Sequence, residues 1–230
     1  MPAVPITMDR LVTDGTMAAL TAAFVCYCRA PSRKLFAVLA CAALTRETGV
    51  ALLLAYCASL AWRCEFRLAG VFLLSAVPAA AWFGCVEVNT SGKSYGISPV
   101  PLSAIWQVLI HPATYPPGTT LAGVVRAADY LALAGMLLAL GLALLWFARG
   151  PRDPLRIAAL LFAAIALFSQ RPDHWDNVYS YGRVHTPLLV CLAALAAQCR
   201  SVWLLAPVAM ILPRLAIQLA PQAIGIIRWL

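Results

Sequence analysis

Apolar residues run along this chain in long stretches, broken at intervals by short knots of basic residues. The stretches are too continuous for the in-out alternation of barrel strands, so they predict helices at about 14–28, 35–45, 48–62, 68–86, 121–148, 155–169, 184–199 and 201–220. The expected fold class is therefore all-α: a polytopic transmembrane bundle of about eight helices, forming one integral membrane domain over residues 1–230. Several runs are shorter than the ~20 residues that cross a ~30 Å hydrocarbon core, and these are expected to tilt, pair or stop part-way.

Local chemistry marks some boundaries. Asp153-Pro154 supplies an N-cap and a first-turn proline for the helix at 155, and Thr186-Pro187 predicts the same near 187. The 121–148 helix should be about 42 Å long, so its first turns project beyond the hydrocarbon, with Arg126 and Asp129 spaced i,i+3 for pairing. Pro207 and Pro213 leave open whether the last run is one kinked helix or two. Two connections are long. Residues 87–120 are rich in Gly, Pro, Ser and Thr, with a short amphipathic segment at 102–110 expected on the membrane surface. Residues 170–186, QRPDHWDNVYSYGRVHT, gather two Arg, two Asp, two His, one Trp and two Tyr.

Composition strengthens the membrane reading. The chain is 63% hydrophobic and 11% charged, against roughly 25% charged residues in a soluble domain. Its few charges are also sorted. Four short connections (around 29–34, 63–67, 149–156 and 200) hold nine cations and two acids, Glu65 and Asp153, whereas the other connections hold eight cations and seven acids. Basic residues accumulate in short cytoplasmic loops, which places the knots in the cytoplasm and both termini outside it, as expected in a bacterial inner (plasma) membrane. The net charge of +8 then lies beside anionic headgroups, so membrane lipids are expected partners and nucleic acid is not. The eight cysteines lie in or at the ends of apolar runs without CxxC or His-rich spacing, so they read as small packing residues and no metal site is expected. No cofactor is indicated. The start, MPAVPITMDRLVTDG, lacks the basic and apolar regions of a signal peptide; the first helix inserts with its N-terminus outward, or further sequence precedes it.

The strongest local signal is Thr45-Arg46-Glu47-Thr48-Gly49, a cation and an anion side by side between two short apolar helices. Such charges are costly at membrane depth unless they pair, reach an interface or line a wet cavity. Residues 40–56, ACAALTRETGVALLLAY, resemble the broken hairpin of the GT-C superfamily, in which a short helix ends in a Leu-Thr-Lys/Arg-x-x-Gly pattern before a second apolar helix. Tyr181-Gly182-Arg183-Val184 and Thr186-Pro187-Leu188-Leu189 are similar to the Tyr-x-Arg and Pro-Leu-Leu start of a late helix in related bacterial cell-surface glycopolymer proteins.

That resemblance implies an extracytoplasmic site where a polyprenyl-phosphate sugar donor meets a hydroxyl acceptor. A carboxylate must take the acceptor's proton, and cations must stabilise the departing lipid phosphate. Arg46 and Arg183 are the candidates for phosphate, with Arg171 behind them, Arg suiting that task by its planar, permanently charged fork. Glu47 would hold Arg46 in position; Asp173 and Asp176, among His174 and Trp175, would bind an acceptor sugar by hydrogen bonds and ring stacking, or the loop is solvated with interfacial aromatics; and His185 would reach a phosphate or move a proton. The family places its catalytic acid in a loop after an initial helix, and no such pair precedes Asp9 here. A fragment, a product of a late start codon, or a partner polypeptide that supplies this N-terminal part is therefore expected, with Asp14 as the substitute base. Two other classes stay open: a transporter or flippase-like component, and a non-enzymatic membrane scaffold subunit.

Overall fold

A computed structural model describes residues 14–89, 100–111, 122–168, 175 and 184–229, without the side chains of Asp14, Gln218, Leu219 and 221–229. Every regular element among the described residues is helical. In chain order the α-helices are α1 (Asp14–Tyr27), α2 (Arg33–Thr45), α3 (Val50–Trp62), α4 (Phe66–Leu73), α5 (Val77–Asn89), α6 (Ser103–Ile110), α7 (Ala122–Arg149), α8 (Pro154–Leu167), α9 (Thr186–Cys199) and α10 (Ala206–Trp229). Short 3-10 turns at Glu47–Gly49, Leu74–Ala76 and Val202–Leu205 lead into α3, α5 and α10.

Two helices are long and apolar enough to cross a membrane: Phe66–Asn89, which joins α4 to α5, and Ala122–Arg149. The 14-residue helices α1, α8 and α9 are each about 21 Å long at 1.5 Å per residue, well short of a bilayer core. The stretch 68–86, read as one helix, is interrupted at Leu74–Ala76. Pro78 is the cause, because it has no N–H to offer the Leu74 carbonyl, which the Val77 N–H takes in a tighter turn. Pro213, by contrast, lies inside a continuous α10.

Helix starts follow local chemistry. Asp153 caps α8, its Oδ1 accepting from the Leu155 and Arg156 N–H groups at 3.0 Å each, with Pro154 in the first turn. Ser32 caps α2 by accepting from the Leu35 N–H at 3.1 Å. Thr186 does not cap α9. The helix starts at Thr186 itself, His185 holds the cap position, and its carbonyl receives the Leu188 N–H at 3.0 Å.

Helix α8 sits at the centre, packed on α3, α7 and α9. Small residues let those neighbours approach: Ala158, Ala159, Ala163 and Ala166 are all buried. Helix α1 packs between α2 and α9, and α10 lies along α7. At the α7–α10 crossing, a Cβ on Gly135 would stand 2.9 Å from the Met210 Cβ and 3.0 Å from the Pro207 carbonyl oxygen, so glycine sets how close the two helices come. Two buried hydroxyls are satisfied within their own helices: Thr21 Oγ1 donates to the Met17 carbonyl and Ser59 Oγ to the Tyr56 carbonyl, both at 2.8 Å. Of the eight cysteines read as packing residues, Cys28, Cys57 and Cys191 are buried and five are exposed.

The basic knots meet at one end of the bundle. Arg152 lies 5.6 Å from the Trp62 ring and 4.1 Å from the Phe147 ring, tying the α7–α8 connection to the α3–α4 turn. Arg156 Nη2 donates to Cys199 Sγ at 3.6 Å, tying the same connection to the end of α9. The turn after α1 lies there too, since the Asp153 carboxylate acts on the Cys28 thiol: burial, and after it this negative charge, push the thiol up to about 11.

Two arginines of this end close α7. Arg152 donates to the Phe147 carbonyl and Arg156 Nη1 to the Trp146 carbonyl, so the open carbonyls of the last turn are met by cations. Arg156 Nε also lies 3.1 Å from Asp153 Oδ2, and the guanidinium fills the space a side chain at Gly150 would need. The remaining seven cations, Arg29, Arg33, Lys34, Arg63, Arg67, Arg149 and Arg200, are exposed.

Candidate functional site

Helix directions define the opposite end. Chain that leaves the knots along α2 reaches Arg46, α9 enters at His185 before running back toward them, and α7 begins there and ends at Arg149. Arg46 and His185 thus stand at the same end, on helices that both pack on α1.

The turn at 46–49 is built by close backbone approach. Arg46 leaves the helix with extended backbone (φ −162°, ψ 148°), while its N–H still bonds the Ala42 carbonyl at 3.3 Å. Its own carbonyl receives the Gly49 N–H at 2.8 Å, which closes the 3-10 turn. Gly49 is buried, and a Cβ there would fall 1.9 Å from the Ala42 carbonyl oxygen. Only glycine lets α3 start this close to α2. Arg46 is half-buried and Glu47 exposed, so the turn holds the cation against the bundle and turns the anion out.

A second feature anchors the 170–186 connection. Trp175, 1% exposed, stacks on His185, 4% exposed, with ring centroids 4.8 Å apart and planes inclined by 34°. The indole is a buried peg at the start of α9, where an interfacial or sugar-stacking role was expected for this connection.

The third feature was not anticipated. Arg214 on α10, 5% exposed, donates from Nε to Asp129 Oδ1 of α7 at 2.6 Å. Asp129 therefore meets a cation from another helix, whereas Arg126, its expected i,i+3 partner, is exposed. A charge contact shielded between helices is stronger than one on a helix surface, which is why the cross-helix partner wins. An acid and a cation set in two separate apolar runs were the signal for it, with Arg126 offering the acid a nearer partner.

Of the residues assigned from sequence, Arg46, Glu47 and His185 are described. Asp14 opens α1, but its side chain, like Arg171, Asp173, Asp176 and Arg183, lies outside the described residues. No group of three or more His, Cys, Asp or Glu suited to a metal ion occurs among the described residues. No family model, curated protein or solved structure matches this chain. What its fold defines is a helical bundle with two helices able to cross a membrane, a basic end and a polar end.

Proposed function

We propose that the chain is a polytopic integral membrane protein of the GT-C glycosyltransferase type, with the basic end in the cytoplasm and both termini outside it. It transfers, or helps to transfer, a sugar from a polyprenyl-phosphate donor to an extracytoplasmic acceptor. Membrane burial is supported by the many large apolar side chains on the surface, among them Leu74, Val77, Trp82, Trp106 and Leu144. The observation that carries the enzymatic reading is the break at Arg46, a cation held at the end of two short helices by the Gly49 close approach, opposite the basic knots.

In the proposed reaction the acceptor oxygen attacks the anomeric carbon as the bond from that carbon to the lipid phosphate breaks. The acceptor's proton passes to a carboxylate, with Asp14 the candidate, and the phosphate leaves with its new charge held by Arg46 and Arg183. Asp173 and Asp176 hold the acceptor, and His185 serves the phosphate or the proton.

The test is transfer of a radiolabelled sugar from a panel of polyprenyl-phosphate donors by the purified chain in lipid. The assay is run alone and with a polypeptide bearing the family's first helix and acidic loop. Activity in either arm supports the reading, and activity only in the second moves the base away from Asp14. Inactivity in both overturns it.

The Asp129–Arg214 pair favours a second reading, a transporter or flippase-like component, because charges shielded between helices mark translocation paths. Lipid-scrambling or uptake activity lost in Asp129→Asn would select it.

A further inference from the structure

The basic end differs from its opposite in more than net charge. Its two acids are Glu65 and Asp153, and Asp153 is consumed: Oδ1 caps α8 and Oδ2 faces Arg156. Seven exposed cations are then set against one exposed carboxylate, Glu65. At the other end the exposed charges are mixed, as Glu47, Glu87 and Arg126 show.

Large aromatics stand among those cations. Trp62, 70% exposed, closes α3 beside Arg63, and Trp203, 78% exposed, follows Arg200 into the turn before α10. Phe66 is exposed beside Arg67. Cations that reach water next to indoles with open apolar faces match a boundary where acyl chains give way to headgroups.

We propose that this end is a binding surface for anionic phospholipid, assembled by the fold from four connections that are far apart in sequence. Its occupant carries a phosphate negative charge and acyl chains together: Arg63, Arg67 and Arg200 take the first, Trp62 and Trp203 the second. The proposal rests on the membrane reading above, and goes beyond it by predicting that lipid at this end is selected rather than averaged.

The test reads tryptophan quenching in vesicles of phosphatidylcholine holding a minor fraction of phosphatidylglycerol, with bromine on the acyl chains of one lipid or the other. The signal of Trp62 and Trp203 is the difference between the wild-type chain and Trp62→Phe/Trp203→Phe. Brominated phosphatidylglycerol is expected to quench it severalfold more, per mole fraction, than brominated phosphatidylcholine. That excess should fall in Arg63→Gln/Arg67→Gln and, in the unmodified protein, should fade with added salt. Equal quenching by the two lipids overturns the proposal and leaves the membrane reading intact. Quenching by neither overturns both.

Discussion

Arg214 and Asp129 come from positions 85 residues apart and meet at 2.6 Å between α10 and α7. Arg214 is the more deeply buried of the two, with side-chain exposures of 6% and 24%. Removing the carboxylate takes this contact from a buried guanidinium whose charge stays, whereas removing both charges removes the desolvated pair together. Asp129→Leu is expected to destabilise the protein by about 3 kcal/mol, the lower end of the range for broken buried pairs because Asp129 retains some solvent. Asp129→Leu/Arg214→Leu should recover most of that loss in thermal melts in detergent. A double variant as unstable as the single would show that the contact matters through packing.

Two glycines on neighbouring helices should respond in opposite directions. Gly49→Ala drives a methyl group into the Ala42 carbonyl and should cost about 3 kcal/mol or more, because the clash is with backbone that cannot turn aside. Gly70 in α4 has no atom within 4 Å of a Cβ, so Gly70→Ala should stabilise by about 0.5–1 kcal/mol through helix propensity. Melting curves of the pair check both signs at once.

Cys64 follows α3 in the left-handed region, at φ 62°. A Cβ is strained there by about 1–2 kcal/mol, and glycine returns part of that relief as extra freedom in the unfolded chain. Cys64→Gly is expected to stabilise by about 0.5 kcal/mol, whereas Cys64→Val should destabilise, as thermal melts of the two variants would show.

Cys28 tests the geometry of the basic end by reactivity. Its thiol is raised from 9.0 to about 11, so near neutral pH its thiolate fraction is about a hundredfold below that of an unshifted cysteine. In a variant with Cys28 as the sole cysteine, alkylation should be slow and should keep rising until the pH passes about 11. Asp153→Asn still caps α8 but removes the negative charge near the thiol, so it should shift that profile to lower pH.

Arg46 provides the functional counterpart. On the proposed reading, Arg46→Ala abolishes sugar transfer and Arg46→Lys restores little of it, because an ammonium cannot reproduce a two-pronged phosphate contact. Insertion and melting temperature should change little in Arg46→Lys. Full transfer by Arg46→Ala would remove it from the phosphate site.

Much of the fold was legible because its signals are local. Apolar runs and caps such as Asp153-Pro154 place helices within a few residues, and the small helix at Ser103–Ile110 occupies the amphipathic segment. Pro78 announced the break before α5, yet the apolar run around it dominated the reading. What stayed hidden depends on a distant neighbour. Gly49 reads as a turn glycine until the Ala42 carbonyl is placed beside it, and Trp175 reads as interfacial until His185 covers it. Asp129 had a plausible partner three residues away, and nothing in one sequence says that Arg214 displaces it.

The capping of α7 separates two quantities that a count of basic residues treats as one. In the folded protein Arg152 and Arg156 are occupied with the carbonyls of Phe147 and Trp146, and Asp153 neutralises part of what remains. While the chain is emerging from the ribosome, none of those contacts exists and every arginine of the connection is hydrated and free. On the membrane reading, the nascent segment therefore carries a stronger retention signal than the mature bundle displays. Orientation would be decided by charges that folding then puts to structural use.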